Sequence, residues 1–464
     1  MRLRKKRSPV PPLRRRPHLL FAAVLATFVG LLTAPSAGAQ ETPADPASGG
    51  TALVPRPVLV QQDADEQPFV LRPTLKVVAR GETADVGERF AAQLRRATGF
   101  RVPVRSHGHG NAVRLTVDPK ADYTVDGAAP TAESYVLDVN SRGVSITART
   151  AHGAFNGVQT LRQLLPAWAA SATPVVTDWR VPATHIEDAP RFSYRGVMLD
   201  VARSFQDVDE VKRSIDTLSR MKMSVLHLHL ADDQGWRIEI TNDGKEPGDP
   251  IDYTALHRES GATAMNQRGH RDELGRTGYY TQEQYRDIVA YAKERFVTVV
   301  PEVDVPSHTN AALHAIPQLN TDRSLPAPDP ATGVVDWNGS GDVGYSALDE
   351  RHDLTYTFVK HVFRQLAEMT GGPYVHIGGD ESHAMGHERY RTLAQCSTLQ
   401  GGGEGHLCPS GPEGRSTTAK VALSDNVVGG PTAGLAGRQA CGDHVRPPLG
   451  AAEADEAGTR GSTA

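Results

Sequence analysis

Cysteine is missing from Met1 to Gln395, and Cys396, Cys408 and Cys441 all fall in the last part of this 464-residue chain. Three thiols without metal-ligand spacing make neither a disulfide framework nor a zinc site. Aromatic residues show the opposite distribution. Trp168, Trp179, Trp236 and Trp337 all lie upstream, and residues 401–464 contain no Phe, Trp or Tyr but fourteen glycines. Such a stretch cannot bury enough apolar surface to offset chain entropy, so disorder is expected there. No long hydrophobic run occurs either. Leu19–Leu32 falls short of the roughly 20 apolar residues a membrane helix needs, so no anchoring span is expected.

The same apolar run follows a basic segment, Arg2 to Arg16, and precedes Ala37-Gly38-Ala39, so residues 1–39 read as a secretory signal and the product as secreted. Arg14-Arg15-Arg16 adds a weak resemblance to a twin-arginine signal. Without that segment the balance of Lys+Arg against Asp+Glu moves from 50 against 54 to 42 against 54, a net charge near −12. This excess of acid argues against nucleic acid or an anionic membrane as partner.

Residues 40–50 form a Pro/Ala/Gly/Ser linker, and residues 51–185 read as a small α/β domain. Leu75–Val78 and Val113–Val117 suggest strands with a helix over Gly87–Thr98 between them. Ser134–Val139 and Val144–Ala148 flank a hairpin turn at Asn140–Gly143. Phe155, Val158, Leu161, Leu164 and Leu165 then recur at helical spacing, which is a core stripe and not a cofactor site.

From residue 186 the pattern alternates strand and helix. Strands are expected at Gly196–Val201, Ser224–Leu230, Val297–Asp304 and Tyr374–Ile377, and helices over Val208–Met221, Thr281–Arg295 and Leu354–Met369. Polar residues gather around each strand: Arg195, Asp200 and Arg203; Asp232 to Arg237; Glu302, Asp304 and His308; and His376, Asp380 and Glu381. Four successive strands ending in acids and histidines point to the mouth of an α/β barrel. Carboxylates beside histidine and arginine can keep one acid protonated while another stays ionised, as glycosidases require.

The stretches Tyr194-Arg195-Gly196, His229 to Arg237, Pro301 to His308 and His376 to Glu381 resemble the motifs of family 20 glycoside hydrolases, the β-N-acetylhexosaminidases, in style those secreted by actinobacteria. The resemblance covers roughly residues 55–390 and implies a small α/β domain followed by the first half of a (β/α)8 TIM barrel, residues 186–391. It further implies a retaining, substrate-assisted hydrolysis of terminal β-linked N-acetylhexosamine in an oligosaccharide, of the kind used in chitin degradation, with no metal and no cofactor. Glu381 would be the general acid and base, and Asp380 would hold the 2-acetamido N–H. Arg195 would bind sugar hydroxyls, and Asp233, Asp304 and His308 would support Glu381, with Asp232 an alternative to Asp233. Adjacent residues on a strand point in different directions, so Asp380 and Glu381 are poorly suited to flank one bond as nucleophile and acid.

The pattern of strands and helices breaks near Arg391, and residues 392–464 read as an aberrant tail standing where four more βα units would be expected. That leaves an inactive remnant, at most sugar-binding, as the main alternative to an active glycosidase. A metal-dependent barrel hydrolase built on His227, His229 and Asp232 is a lesser one.

Overall fold

The computed structural model describes residues 52–120, 129–266 and 274–381 and the backbone of Lys420–Ala422. The expected signal segment and most of the expected tail lie outside these residues. No described helix is long and apolar enough to cross a membrane.

The N-terminal part is a seven-stranded mixed sheet. Its order is Leu59–Gln62, Thr184–Asp188, Tyr135–Asn140, Gly143–Ala148, Ala112–Val117, Lys76–Val78 and Val104–Arg105. The strand Thr184–Asp188 runs past the boundary expected at residue 185. Helices Ala84–Thr98 and Ala151–Leu164 pack on this sheet, and the stripe of Phe155, Val158, Leu161, Leu164 and Leu165 is buried in its core. Gly157 permits the close approach, because a Cβ there would stand 2.6 Å from Ile146 Cγ2.

The second part is a parallel sheet in the order Gly196–Asp200, Val225–Asp232, Thr298–Val303 and Tyr374–His376. Crossover helices return each strand to the same end. Helix Val208–Arg220 starts at a reciprocal cap in which Asp207 accepts from the Glu210 N–H at 2.8 Å and Glu210 accepts from the Asp207 N–H at 2.9 Å. Val211, Ile215 and Leu218 then face the core at helical spacing. Thr281 and Gln284 cap Gln282–Lys293 in the same way, and Asp353–Thr370 stops at Gly371 with φ +57°.

Within the expected tail, three residues are described. Lys420–Ala422 pairs in parallel with Tyr374–His376. Edge pairing of this length is made by backbone groups alone, so a long apolar run is not required. On the opposite side no described strand pairs with Gly196–Asp200, where Val197 and Met198 are 43% and 54% exposed.

The two parts meet at the N-terminal ends of the barrel strands. Lys222, just before the second strand, donates to Asp188 at 2.7 Å and to the Tyr135 hydroxyl at 2.8 Å, all three side chains being buried. Phe296, just before the third, stacks on His152 with ring centroids 4.8 Å apart. Replacing Lys222 with Met leaves the Asp188 carboxylate enclosed without its cation. Urea unfolding of that variant is expected to lose about 3 kcal/mol relative to wild type, and an unchanged midpoint would show that the contact contributes nothing.

Candidate active site

Register decides what the barrel strands can bring together. Asp200 pairs with His229, His229 with Glu302, and Glu302 with His376, so four polar residues from four strands share one row across the sheet. Side chains in one row of a parallel sheet point to the same face. Just beyond the row the pairing of the second and third strands shifts between His229 and Ala231. Strict alternation would send His229 and Asp232, three apart, to opposite faces, and one extra residue returns Asp232 to the side of His229.

Glu302 is 3% exposed and receives three imidazoles: His227 Nε2 at 2.7 Å and His229 Nδ1 at 2.9 Å on one oxygen, and His376 Nδ1 at 3.1 Å on the other. Burial opposes its ionisation, but the bonds from His227, His229 and His376 outweigh it and hold the carboxyl well below the usual range. His229 turns its other nitrogen to Asp232 Oδ2 at 2.8 Å, where Arg203 also arrives at 2.7 Å. Arg203 additionally binds Asp200 at 2.8 Å and keeps 28% of its side chain exposed.

His308 joins this cluster to Glu381. Its Nδ1 stands 3.3 Å from Asp232 Oδ1 and 3.4 Å from Asp233 Oδ2, and its Nε2 stands 3.0 Å from Glu381 Oε2. Burial disfavours the imidazolium, yet Asp232 and Asp233, with Asp304 beyond, push the His308 pKa up to about 11. His308 and Glu381 both have left-handed backbones, φ +56° and +48°. Non-glycine residues adopt this at a cost on the order of 1 kcal/mol, and such strain concentrates where function fixes geometry. The turn between strand and acid runs through Gly378 and Gly379, at φ +64° and +100°. A Cβ on Gly378 would lie 2.0 Å from Asp304 Oδ1, which accepts the Gly379 N–H at 2.7 Å. Burial pushes the Asp304 carboxyl well above its ordinary value.

The structure therefore brings Asp233, Asp304, His308, Asp380 and Glu381 to one end of the sheet, and differs from expectation in the placement of Arg195 and in the contacts of Asp233. Arg195 is not there. It precedes its strand and lies at the opposite end, where its guanidinium binds Glu133 of the N-terminal part, the Phe192 carbonyl at 2.7 Å and the Lys222 carbonyl at 2.9 Å. The arginine at the acid cluster is Arg203. Asp233 is wholly buried, and its Oδ1 accepts the Asn310 N–H at 3.0 Å and the Ser346 hydroxyl. It anchors a loop, and the chain of bonds to the other strands runs through Asp232. Arg237 is likewise structural: fully buried, it donates to the carbonyls of Val201, Ala202, Gly261, Thr263 and Gly278.

Two trios, His227–Glu302–His376 and Asp232–Asp233–His308, are compact enough to raise the question of a metal. Ligands of a tetrahedral zinc, at about 2.0–2.2 Å from the ion, stand roughly 3.3 Å apart. His229 Nδ1 is instead hydrogen-bonded to Glu302 at 2.9 Å, and His376 Nδ1 accepts the Gly378 N–H at 3.0 Å. At the second trio the positive charge is already supplied by Arg203 on Asp232.

A histidine held as a cation by folding stabilises the native state fully below the ordinary histidine value of 6.5, and that contribution is withdrawn as pH rises toward 11. Denaturant midpoints of the wild type should therefore fall between pH 7 and pH 9, and His308→Asn should flatten this dependence. Equal slopes in the two proteins would refute a cationic His308.

Comparison with known proteins bears on the family of the chain. The family model for the glycosyl hydrolase family 20 catalytic domain matches residues 192–401, and that for domain 2 of the same family matches residues 50–189. A β-N-acetylhexosaminidase of Cellulomonas fimi is 38% identical over 349 residues, covering 74% of this chain and 62% of its own length. A β-hexosaminidase of Porphyromonas gingivalis is 35% identical over 381 residues, covering 82% of this chain and 44% of its own. The solved GH20 β-N-acetylhexosaminidase from Streptomyces coelicolor superposes with TM-score 0.63 at 39% identity, over 74% of this chain and 62% of that one. This chain thus spans about half to three-fifths of the length of these relatives. Matched in order by both domains, the chain belongs to glycosyl hydrolase family 20.

Proposed function

We propose that the chain hydrolyses terminal, non-reducing β-linked N-acetylhexosamine from oligosaccharides or glycosides. The names of its relatives support this reading, as do complexes of the Streptomyces plicatus enzyme with Thio-NAglucal and with its product GlcNAc. The observation that carries it is Glu381, whose side chain is 39% exposed while a buried imidazole 3.0 Å away holds one of its oxygens. Such a carboxyl can reach a substrate oxygen and still be oriented from behind.

In this mechanism Glu381 gives its proton to the glycosidic oxygen as the bond to the anomeric carbon breaks. The acetamido oxygen of the substrate forms the new bond to that carbon, and Asp380 accepts the acetamido N–H and balances the positive charge of the oxazolinium. Water then attacks the same carbon, gives its proton to the Glu381 carboxylate and reopens the ring, so two inversions leave configuration retained. A second carboxylate acting as nucleophile would have to stand about 5–5.5 Å away across the scissile bond, a poor fit to two consecutive residues. Arg203, on the acid-lined face, is the side chain we assign to the sugar hydroxyls in place of Arg195. We also propose export, from the basic and apolar segments within residues 1–39, which would put polymers such as chitin within reach.

Hydrolysis of an aryl N-acetyl-β-glucosaminide by the purified chain tests the proposal. Glu381→Gln should lower kcat by about 10²–10⁴, and absence of turnover by the wild type would overturn the reading. Arg203→Gln should raise KM by about tenfold or more. Arg195→Gln should leave KM unchanged and lower the unfolding midpoint, so the reverse pattern would restore the sugar-binding role to Arg195.

A further inference from the structure

We infer that His229 and Glu302 are positioning residues for the general acid, acting on Glu381 through Asp232 and His308. The inference rests on the reading of Glu381 given above and adds two side chains that do not approach the substrate. The contacts form one alternating series of carboxylate and imidazole, hydrogen-bonded from Glu302 to Asp232 and continued by ion pairs at His308. Glu302 meets His229 Nδ1 at 2.9 Å, and His229 Nε2 meets Asp232 at 2.8 Å. Asp232 meets His308 Nδ1 at 3.3 Å, and His308 Nε2 meets Glu381 at 3.0 Å.

The physical argument lies in the count of lone pairs. A neutral imidazole carries one N–H and one bare nitrogen, and an imidazole between two carboxylates would aim that bare nitrogen at an anion. His229 faces carboxylates on both sides and is therefore held doubly protonated. Burial works against that charge, but the bonds to Asp232 and Glu302 prevail and raise its pKa well above the ordinary value. The anion that maintains it is Glu302, itself fixed by His227 and His376 from the second and fourth strands. A cationic His229, with Arg203, occupies Asp232 Oδ2 and leaves Oδ1 directed at the Asp233 N–H and His308. His308 is then held by Asp232, with Asp233 at 3.4 Å and Asp304 nearby, and presents a proton to Glu381.

Glutamine at 302 brings no charge, and its amide can donate to a bare His229 Nδ1, so His229 becomes neutral with its one proton on Nε2 toward Asp232. Asp232 then keeps a hydrogen bond but loses the cation that balances it on the side away from His308. The charge that Asp232 shares with His308 changes, and with it the His308 group that faces Glu381, without altered sugar contacts.

Two measurements on the full chain test this: histidine ring ¹⁵N NMR through a pH titration, with the His308 signal assigned by its loss in His308→Asn, and the pH dependence of kcat/KM. Glu302→Gln should displace the His308 titration by at least about one unit and displace the pH profile of kcat/KM with it. KM at the optimum should be retained, and Glu302→Asp should restore the His308 titration in part. His229→Gln should give the same displacement, so the test survives if one variant does not fold. A purely structural role would lower thermal stability and leave both titrations in place. An unmoved His308 titration in either folded variant overturns the inference. If the wild type fails to hydrolyse the glycoside but His308 responds as expected, the functional reading fails while the coupling stands.

Discussion

Glu302 is the group on which the interior of the barrel sheet depends. An ionised carboxylate removed from water ordinarily costs several kcal/mol, and here imidazoles from two neighbouring strands converge on it. Because Asp200, His229, Glu302 and His376 share one row, the polar cluster is set by strand register before any loop contributes. The extra residue after His229 then brings Asp232 to the same side, which a regular strand could not do. Loops complete the site only afterwards, with His308 and the two-glycine turn.

Much of this was legible in the sequence, for physical reasons that differ from element to element. Helices with a strong apolar stripe and a capping pair, such as Val208–Arg220, were readable to within a residue. The two-residue strands Phe69–Val70, Val104–Arg105 and Arg180–Val181 were not, because two residues carry no periodicity. The acids at the strand ends were recognisable because parallel barrels collect polar groups there. The position of Arg195, at the far end of the sheet from the acids, was not legible, since a motif gives adjacency in sequence and not the end of the sheet on which a side chain emerges. The choice between Asp232 and Asp233 could not be made from alternation, because the register shift that decides it is a property of the paired strands. His229 and Glu302 were visible as residues, but their common row depends on pairing between segments about seventy positions apart.

The contacts at the opposite end of the sheet have a consequence of another kind. Arg195, Lys222 and Phe296, each lying just ahead of a strand, join the N-terminal part to the barrel, whereas Asp232, His308 and Glu381 lie beyond the strand ends. Drift in the residues that join the two parts can therefore proceed with little effect on the chemistry, and the acid cluster can be retuned without loosening the joint. Over evolutionary time such a chain can exchange its accessory module, or alter that module's surface, while inheriting its reactive end unchanged.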